Sequence, residues 1–377
     1  ILCEKVPNNL PDSLTEIAID MQDGGDGFLD DQDQFLFYAQ GHYKWVKSNL
    51  NEAPIRQKIT SNDSLFFFIR IGTIGKRITP FNTTGASTKL VQTYPAKWLV
   101  EKDTINILSS GKIWLGDAMG IGVGKKTTMS FPLNMEGLQL NGPIVFQSQL
   151  AASSYQVDAR FTIKLNDQLM TTASLSTVSG NLFDDAYKIR FDSSTIGLDK
   201  NTLLKAGQSL TSVNLQVDFN APASSTGWVD YMALHGQRTI GYWGNTGFGF
   251  DYQTSQSKAQ LIEFEIQNAT TQTRVWDLSH YYQPILLNAQ LGPNAIATFK
   301  AADSASKYFY VFEANKINSA QFSSFIPGDS SFTISPLDYI IITAPDYYPA
   351  AMTLKVFHEK QNGYKVGLFN ATKIYNE

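Results

Sequence analysis

Residues 23–33 (DGGDGFLDDQD) carry the clearest chemical signal in the chain. Asp23, Asp26, Asp30 and Asp33 recur there around glycines. Carboxylates this close repel one another unless a cation or solvent screens them, and calcium collects about six to eight oxygens. A structural calcium ion is therefore one reading, and a solvated acidic turn is the other. The glycine position and the missing final glutamate exclude an EF-hand. Thiol chemistry has little to draw on. Cys3 is the only cysteine, and the four histidines are His42, His235, His280 and His358. A cysteine–histidine mechanism needs a thiolate beside an imidazole, and no such pair is marked by spacing. His235 follows an expected strand in LHGQR, and His358 sits among polar Glu359 and Lys360 on an expected helix. His42 and His280 have no convergent partners in sequence. No catalytic residue is assigned. With one cysteine there is neither an internal disulfide nor a cysteine metal cluster. Stretch 116–125 (GDAMGIGVGK) is glycine-rich but lacks phosphate-loop spacing, so it reads as a hairpin or loop. Trp228, Trp243, Phe248, Phe250 and Tyr252 form an aromatic stretch that either stacks on sugars or packs a core.

The elements around these residues are mostly short strands. Stretches 34–39 (QFLFYA) and 64–71 (SLFFFIRI) are aromatic-rich and bounded by turn residues. Positions 213–219 (VNLQVDF) alternate, with Val213, Leu215, Val217 and Phe219 on one face, which is the pattern of a half-buried strand. Stretches 146–150, 159–165, 186–191 and 228–234 behave similarly, and 260–266 (QLIEFEI) follows the same rule. The period then changes. Stretch 337–343 (LDYIIIT) is continuously apolar, as in a strand buried on both faces. Stretch 348–361 has helical spacing, Asn362-Gly363 supplies a left-handed cap, and 364–369 (YKVGLF) is a second strand.

The fold class expected is mainly β, with consecutive β-sandwich or jelly-roll-like domains followed by the first β-α-β unit of an α/β domain. The divisions expected are 1–130, 131–250, 251–335 (of immunoglobulin-like size) and 336–377. One β-α-β unit cannot cover both faces of its own sheet, so further strands are expected after residue 377. Charged residues make up 17% of the 377 residues and the net charge is −4. Low charge with many polar uncharged and aromatic residues suits an exported β-protein. A chain that opens at Ile1 fits one whose export signal has been removed. Clustered Lys and Arg of the kind that bind nucleic acid are absent, and no apolar run approaches the ~18 residues of a membrane span.

Stretch 337–377, ending in IYNE, resembles the start of the catalytic domain of gingipain-family cysteine peptidases, a caspase-like α/β fold. Upstream segments are similar, more narrowly, to the PorU-type sortases of the type IX secretion system. They are 23–27 (DGGDG), 37–41 with Trp45 (FYAQG…W), 75–78 (GKRI), 110–117 (SGKIWLGD), 227–231 (GWVDY) with Arg238, and 275–278 (VWDL). The resemblance implies a cell-surface, outer-membrane-associated peptidase that removes C-terminal sorting domains from secreted cargo. It also implies partners: an outer-membrane barrel, other attachment-complex proteins and the cargo itself. No cofactor is required by it beyond the structural calcium considered above. The family's catalytic histidine and cysteine lie downstream of IYNE, so this chain is expected to be the non-catalytic front of such an enzyme. The competing expectation is a surface adhesin or carbohydrate-binding β-protein without catalysis.

Overall fold

The computed structural model describes residues 2–4, 15–25, 28, 30–31, 33–41, 43–46, 55–58, 65–70, 74–81, 85–107, 109, 113–184, 188–199, 211, 213–254, 260–303, 306–323, 336–371 and 374. The chain is mainly β and divides into two compact units, Ile1–Ile317 and Asn318–Glu377. Among the described residues no helix is long and apolar enough to cross a membrane.

Two sandwiches dominate the first unit. In the first, one antiparallel sheet runs in the order Thr93–Glu101, Thr226–Thr239, Ile144–Ser153, Arg190–Leu198. Its facing sheet runs Thr128–Leu133, Val213–Asn220, Ala159–Leu165, Gln168–Leu175. The alternation at 213–219 is realised: Val213, Leu215 and Val217 are fully buried, and Phe219 nearly so. Phe146, Phe161, Ile163 and Leu234 complete this part of the core. Asn166 and Asp167 both take positive φ (49° and 66°) between their two strands, the conformation that a tight hairpin needs.

The second sandwich pairs a sheet ordered Gly247–Gln253, Ser306–Glu313, Thr273–Asp277, Ile285–Leu287, Thr79–Phe81 with one ordered Gln290–Leu291, Ala297–Ala302, Leu261–Ile266, Ser87–Val91. Thr79–Phe81 and Ser87–Val91 join at the edges as parallel strands. The divisions expected near residues 130 and 250 therefore cut across the sheets. Alternation announces a strand but not its partner, and these two partners lie nearly 200 residues away in sequence. The sandwiches share one core. Tyr94 stacks on Phe248 (5.9 Å, 22°) and tilts against Phe250 (5.4 Å) across the join.

Nearer the amino end, Thr15–Ile17, Leu2–Glu4 and Phe67–Ile69 form a small antiparallel sheet. Asp20–Gln22 pairs with Gln34–Leu36, and Tyr43–Val46 with Ile55–Lys58. The strand–turn–strand expected at 105–115 is reduced to an antiparallel bridge between Ile105 and Leu115.

The second unit carries the expected β-α-β. Tyr339–Thr343 and Val366–Asn370 are parallel, and the helix Tyr348–Asn362 connects them. Gly363 ends the helix at φ 67°, its N–H donating to the His358 carbonyl. Only glycine takes that conformation cheaply. The helix also donates from Lys355 Nζ to the Val366 carbonyl at 2.7 Å. One expectation needs correction. Stretch 337–343 was read as a strand buried on both faces, yet Ile340 is 53% and Ile342 60% exposed within this unit. Two strands and one helix have too little surface to cover both faces.

One ion pair in the first sandwich gives a pH prediction. Burial pushes the Asp218 carboxyl up, but donors from Lys164 (2.6 Å), Thr128 (2.8 Å) and Gln216 (2.8 Å) outweigh it and hold the group below its ordinary value. A depressed carboxylate contributes stability above its unfolded pKa of about 4, and that contribution disappears as pH falls through the lower folded value. Lys164→Met is expected to flatten the loss of stability below about pH 4. Urea unfolding at pH 7 and across the acid range checks this. An unchanged acid slope would remove Asp218 from the account.

Candidate functional site

The described acids do not gather where the sequence suggested. Asp23 Oδ1 accepts the Gly25 N–H (3.0 Å), and Asp33 Oδ2 accepts the Asp30 N–H (3.0 Å). The Asp33 N–H in turn donates to the Asp30 carbonyl at 3.1 Å. These carboxylates cap turns of their own loop, as short acidic side chains commonly do. Asp26 lies outside the described residues.

A different trio does converge. Carboxylate oxygens of Glu101, Asp103 and Asp230 lie within 4.8 Å of one another. Glu101 ends the strand Thr93–Glu101, opposite Tyr231. Asp230 reaches the same place through a bulge. Gln149 pairs with Tyr231 and Leu150 with Val229, which leaves Asp230 as the extra residue of the strand. Bulges re-aim a side chain in this way. Neighbouring Lys102 is paired with Asp117 at 2.5 Å, with both side chains largely exposed. Oxygen-only donor sets of this kind suit hard cations. The sequence reading missed the trio because Asp103 and Asp230 are more than a hundred residues apart. Only the broken alternation in WVDY hinted at the bulge.

The histidines take structural places. His235 Nε2 is 2.7 Å from Gln147 Oε1 across the sheet. His280 is exposed. His358 stacks on Tyr339 (4.5 Å, 29°), and its Nδ1 is 3.1 Å from Asn362 Oδ1. His42 lies outside the described residues. The Cys3 backbone is central in its sheet, opposite Glu16 and Phe68.

The aromatic stretch turns inward. Trp228, Phe250 and Tyr252 are buried. Trp243 donates from Nε1 to the Thr239 carbonyl at 3.0 Å and lies so close to Gly137 that a Cβ there would be 2.7 Å from the indole. A flat sugar-stacking platform is not formed by these rings.

The motifs that carried the resemblance prove to be packing and joining positions. A Cβ at Gly227 would stand 2.5 Å from Phe219 and 2.7 Å from Phe161, so the core rings require glycine there. Arg238 donates from Nε to the Glu136 carbonyl (2.7 Å) and lies over the Trp98 ring at 5.4 Å. Asp277 of VWDL is buried and paired with Lys307 at 2.6 Å.

No known protein family matches the sequence, and no curated protein matches it either. Solved structures do. The crystal structure of dimeric latent PorU from Porphyromonas gingivalis matches over 100% of this chain with a TM-score of 0.75 at 14% identity. This chain spans 35% of that one. A family 35 carbohydrate-binding module from an environmental isolate matches over 38% of this chain and 97% of its own, at 13% identity and a TM-score of only 0.22. A particle protein of infectious bursal disease virus is as distant, with a TM-score of 0.23 at 10% identity, over 70% of this chain and 50% of its own. Neither of these two scores indicates a shared fold. The first one does: both units of this chain, taken together, have the fold of a region of PorU.

Proposed function

We propose that this chain is the non-catalytic front portion of a PorU-like sortase, a gingipain-family cysteine peptidase of the type IX secretion system. The observation that carries this reading is a match that runs the whole length of the chain, sandwiches and β-α-β unit alike. The ordered motifs from DGGDG to IYNE support the same family. In this reading the parent enzyme works at the outer-membrane surface, where it removes C-terminal sorting domains from secreted cargo and helps attach that cargo. The sandwiches hold the peptidase domain against an outer-membrane barrel and the other attachment proteins. The thiol and imidazole belong to a peptidase domain continuing from the β-α-β unit, so Cys3 takes no part in catalysis.

The test uses antiserum against residues 1–317 on cells that make this protein. It is expected to detect a surface polypeptide about three times this length, in keeping with the 35% span. That polypeptide should react with a peptide-directed thiol probe, and its deletion should leave cargo with sorting domains attached. Normal cargo trimming in the deletion strain would overturn the proposal. So would thiol-dependent peptide turnover by purified residues 1–377 that is lost on Cys3→Ser.

A further inference from the structure

The glycine-rich stretch 116–125 has no part in the sortase reading, and strand ends give it a place. In the first sandwich Ser153 pairs with Thr226, Ala159 with Leu175, Arg160 with Asn220, and Thr128 with Asp218. Connections 119–127, 154–158, 176–184 and 221–225 therefore leave the sandwich at one end. Hydrogen bonds tie their bases together. Ser154 and Ser225 hydroxyls are 2.8 Å apart, the Val178 N–H donates to the Ser154 carbonyl (2.7 Å), and the Met119 N–H donates to the Gly227 carbonyl (2.7 Å). A Cβ on Gly180 would touch the Tyr155 ring at 3.2 Å, and one on Gly120 would crowd the Ser225 carbonyl at 2.9 Å.

Outward from this bonded base stand Ile121, Val123, Tyr155, Val157, Leu182 and Phe183, each more than half exposed, with Phe183 at 97%. Scattered exposed apolar residues need no explanation, but a contiguous set does. Positive φ at Gly120, Gly122 and Gly124 (144°, 131° and 75°) carries the backbone between Ile121 and Val123. The opposite end of the same sandwich closes with the polar Asn166-Asp167 turn. Lys125 and Lys126 follow the Ile121–Val123 tip, and Lys188 and Arg190 follow Phe183. Asp158 and Asp184 are the acids at this end among the described residues.

We propose that this end of the sandwich docks on a lipid surface bearing anionic headgroups. The apolar tips enter the interface, and the basic groups stand at headgroup level. Separate convex tips suit a deformable medium. A protein partner would need a matching pocket for each, and its anchors would be Trp or Arg on a flat patch. Aliphatic and aromatic tips backed by lysines are what an anionic bilayer surface attracts. The argument does not depend on the sortase reading.

The test is flotation of the full 377-residue chain with vesicles of three parts phosphatidylcholine to one part phosphatidylglycerol. The wild type is expected to float. The double variant Val123→Asp/Phe183→Asp is expected to lose about tenfold or more of its partition coefficient, with unchanged tryptophan emission confirming that it folds. Leu169→Asp, on an exposed residue just past the Asn166-Asp167 turn, should float like wild type. Lys126→Glu should cost about fivefold on the anionic vesicles and nothing on pure phosphatidylcholine. A wild type that does not float, or a Val123→Asp/Phe183→Asp variant that floats equally well, overturns the proposal. Equal binding to pure phosphatidylcholine overturns its anionic part.

Discussion

Lys307→Ala is expected to destabilise the Ile1–Ile317 unit by about 3–5 kcal/mol, the usual cost of removing one partner from a buried ion pair. Asp277 is 4% exposed and the Lys307 side chain only 16%, with Oδ2 and Nζ 2.6 Å apart. The other carboxylate oxygen accepts the Ser279 N–H (2.9 Å) and the Ser279 hydroxyl (2.5 Å), and that hydroxyl oxygen accepts the Tyr308 N–H (3.2 Å). Without Lys307 the carboxylate keeps its neutral donors but loses its counter-charge in a site with little water. The loss therefore comes from stranding a charge, not from the worth of the pair. Lys307→Met combined with Asp277→Asn should restore much of the stability, because a neutral pair of similar volume strands nothing. Tryptophan fluorescence during urea unfolding reads this unit alone, since all six tryptophans (45, 98, 114, 228, 243 and 276) precede residue 318. If Lys307→Ala cost under about 1 kcal/mol, an ordinary surface value, the pair would be solvated and this account of VWDL would fall.

That pair also shows what the sequence could disclose. Side-chain period was legible: 213–219 and 261–266 alternate in sequence and bury Val213, Leu215, Val217, Ile262, Phe264 and Ile266 as expected. The helix stop at Gly363 was legible because only a left-handed residue can end a helix in this way. Partnership was not. Nothing in STKLV at 87–91 announces a parallel pairing with Leu261–Ile266, since the same pattern fits any open edge. The acidic trio was hidden for a related reason. Its geometry depends on a one-residue bulge at Asp230, and a bulge is a property of two paired strands, not of one. The acids at 23–33 misled in the opposite direction, because density in sequence says nothing about whether carboxylates face one another or their own backbone.

Phe264→Ala is expected to cost the same unit about 3–5 kcal/mol. Phe264 is fully buried, stacked on Phe299 at 4.8 Å and 8°, and within 4.9 Å of the Phe309 ring centroid. Tyr252 (5.5 Å) and Phe250 (5.9 Å) close the remaining sides. Each neighbour is itself held. Phe299 and Phe309 pack on one another at 5.3 Å, and Phe250 sits against Phe309 at 5.3 Å. The cavity left by truncation therefore collapses poorly, which puts the cost toward the upper part of the range. Phe264→Leu, which refills most of the volume, should cost markedly less. The same rings bear on cooperativity. Phe250 touches Tyr94 of the first sandwich at 5.4 Å, so one continuous aromatic seam runs from Phe299 to the join. Unfolding of the Ile1–Ile317 unit in Phe264→Ala should therefore remain a single transition by tryptophan fluorescence and near-ultraviolet circular dichroism. Were the two signals to separate, with Trp98 and Trp228 of the first sandwich outlasting Trp276 of the second, the shared core would be two cores, and Tyr94 a contact rather than a coupling.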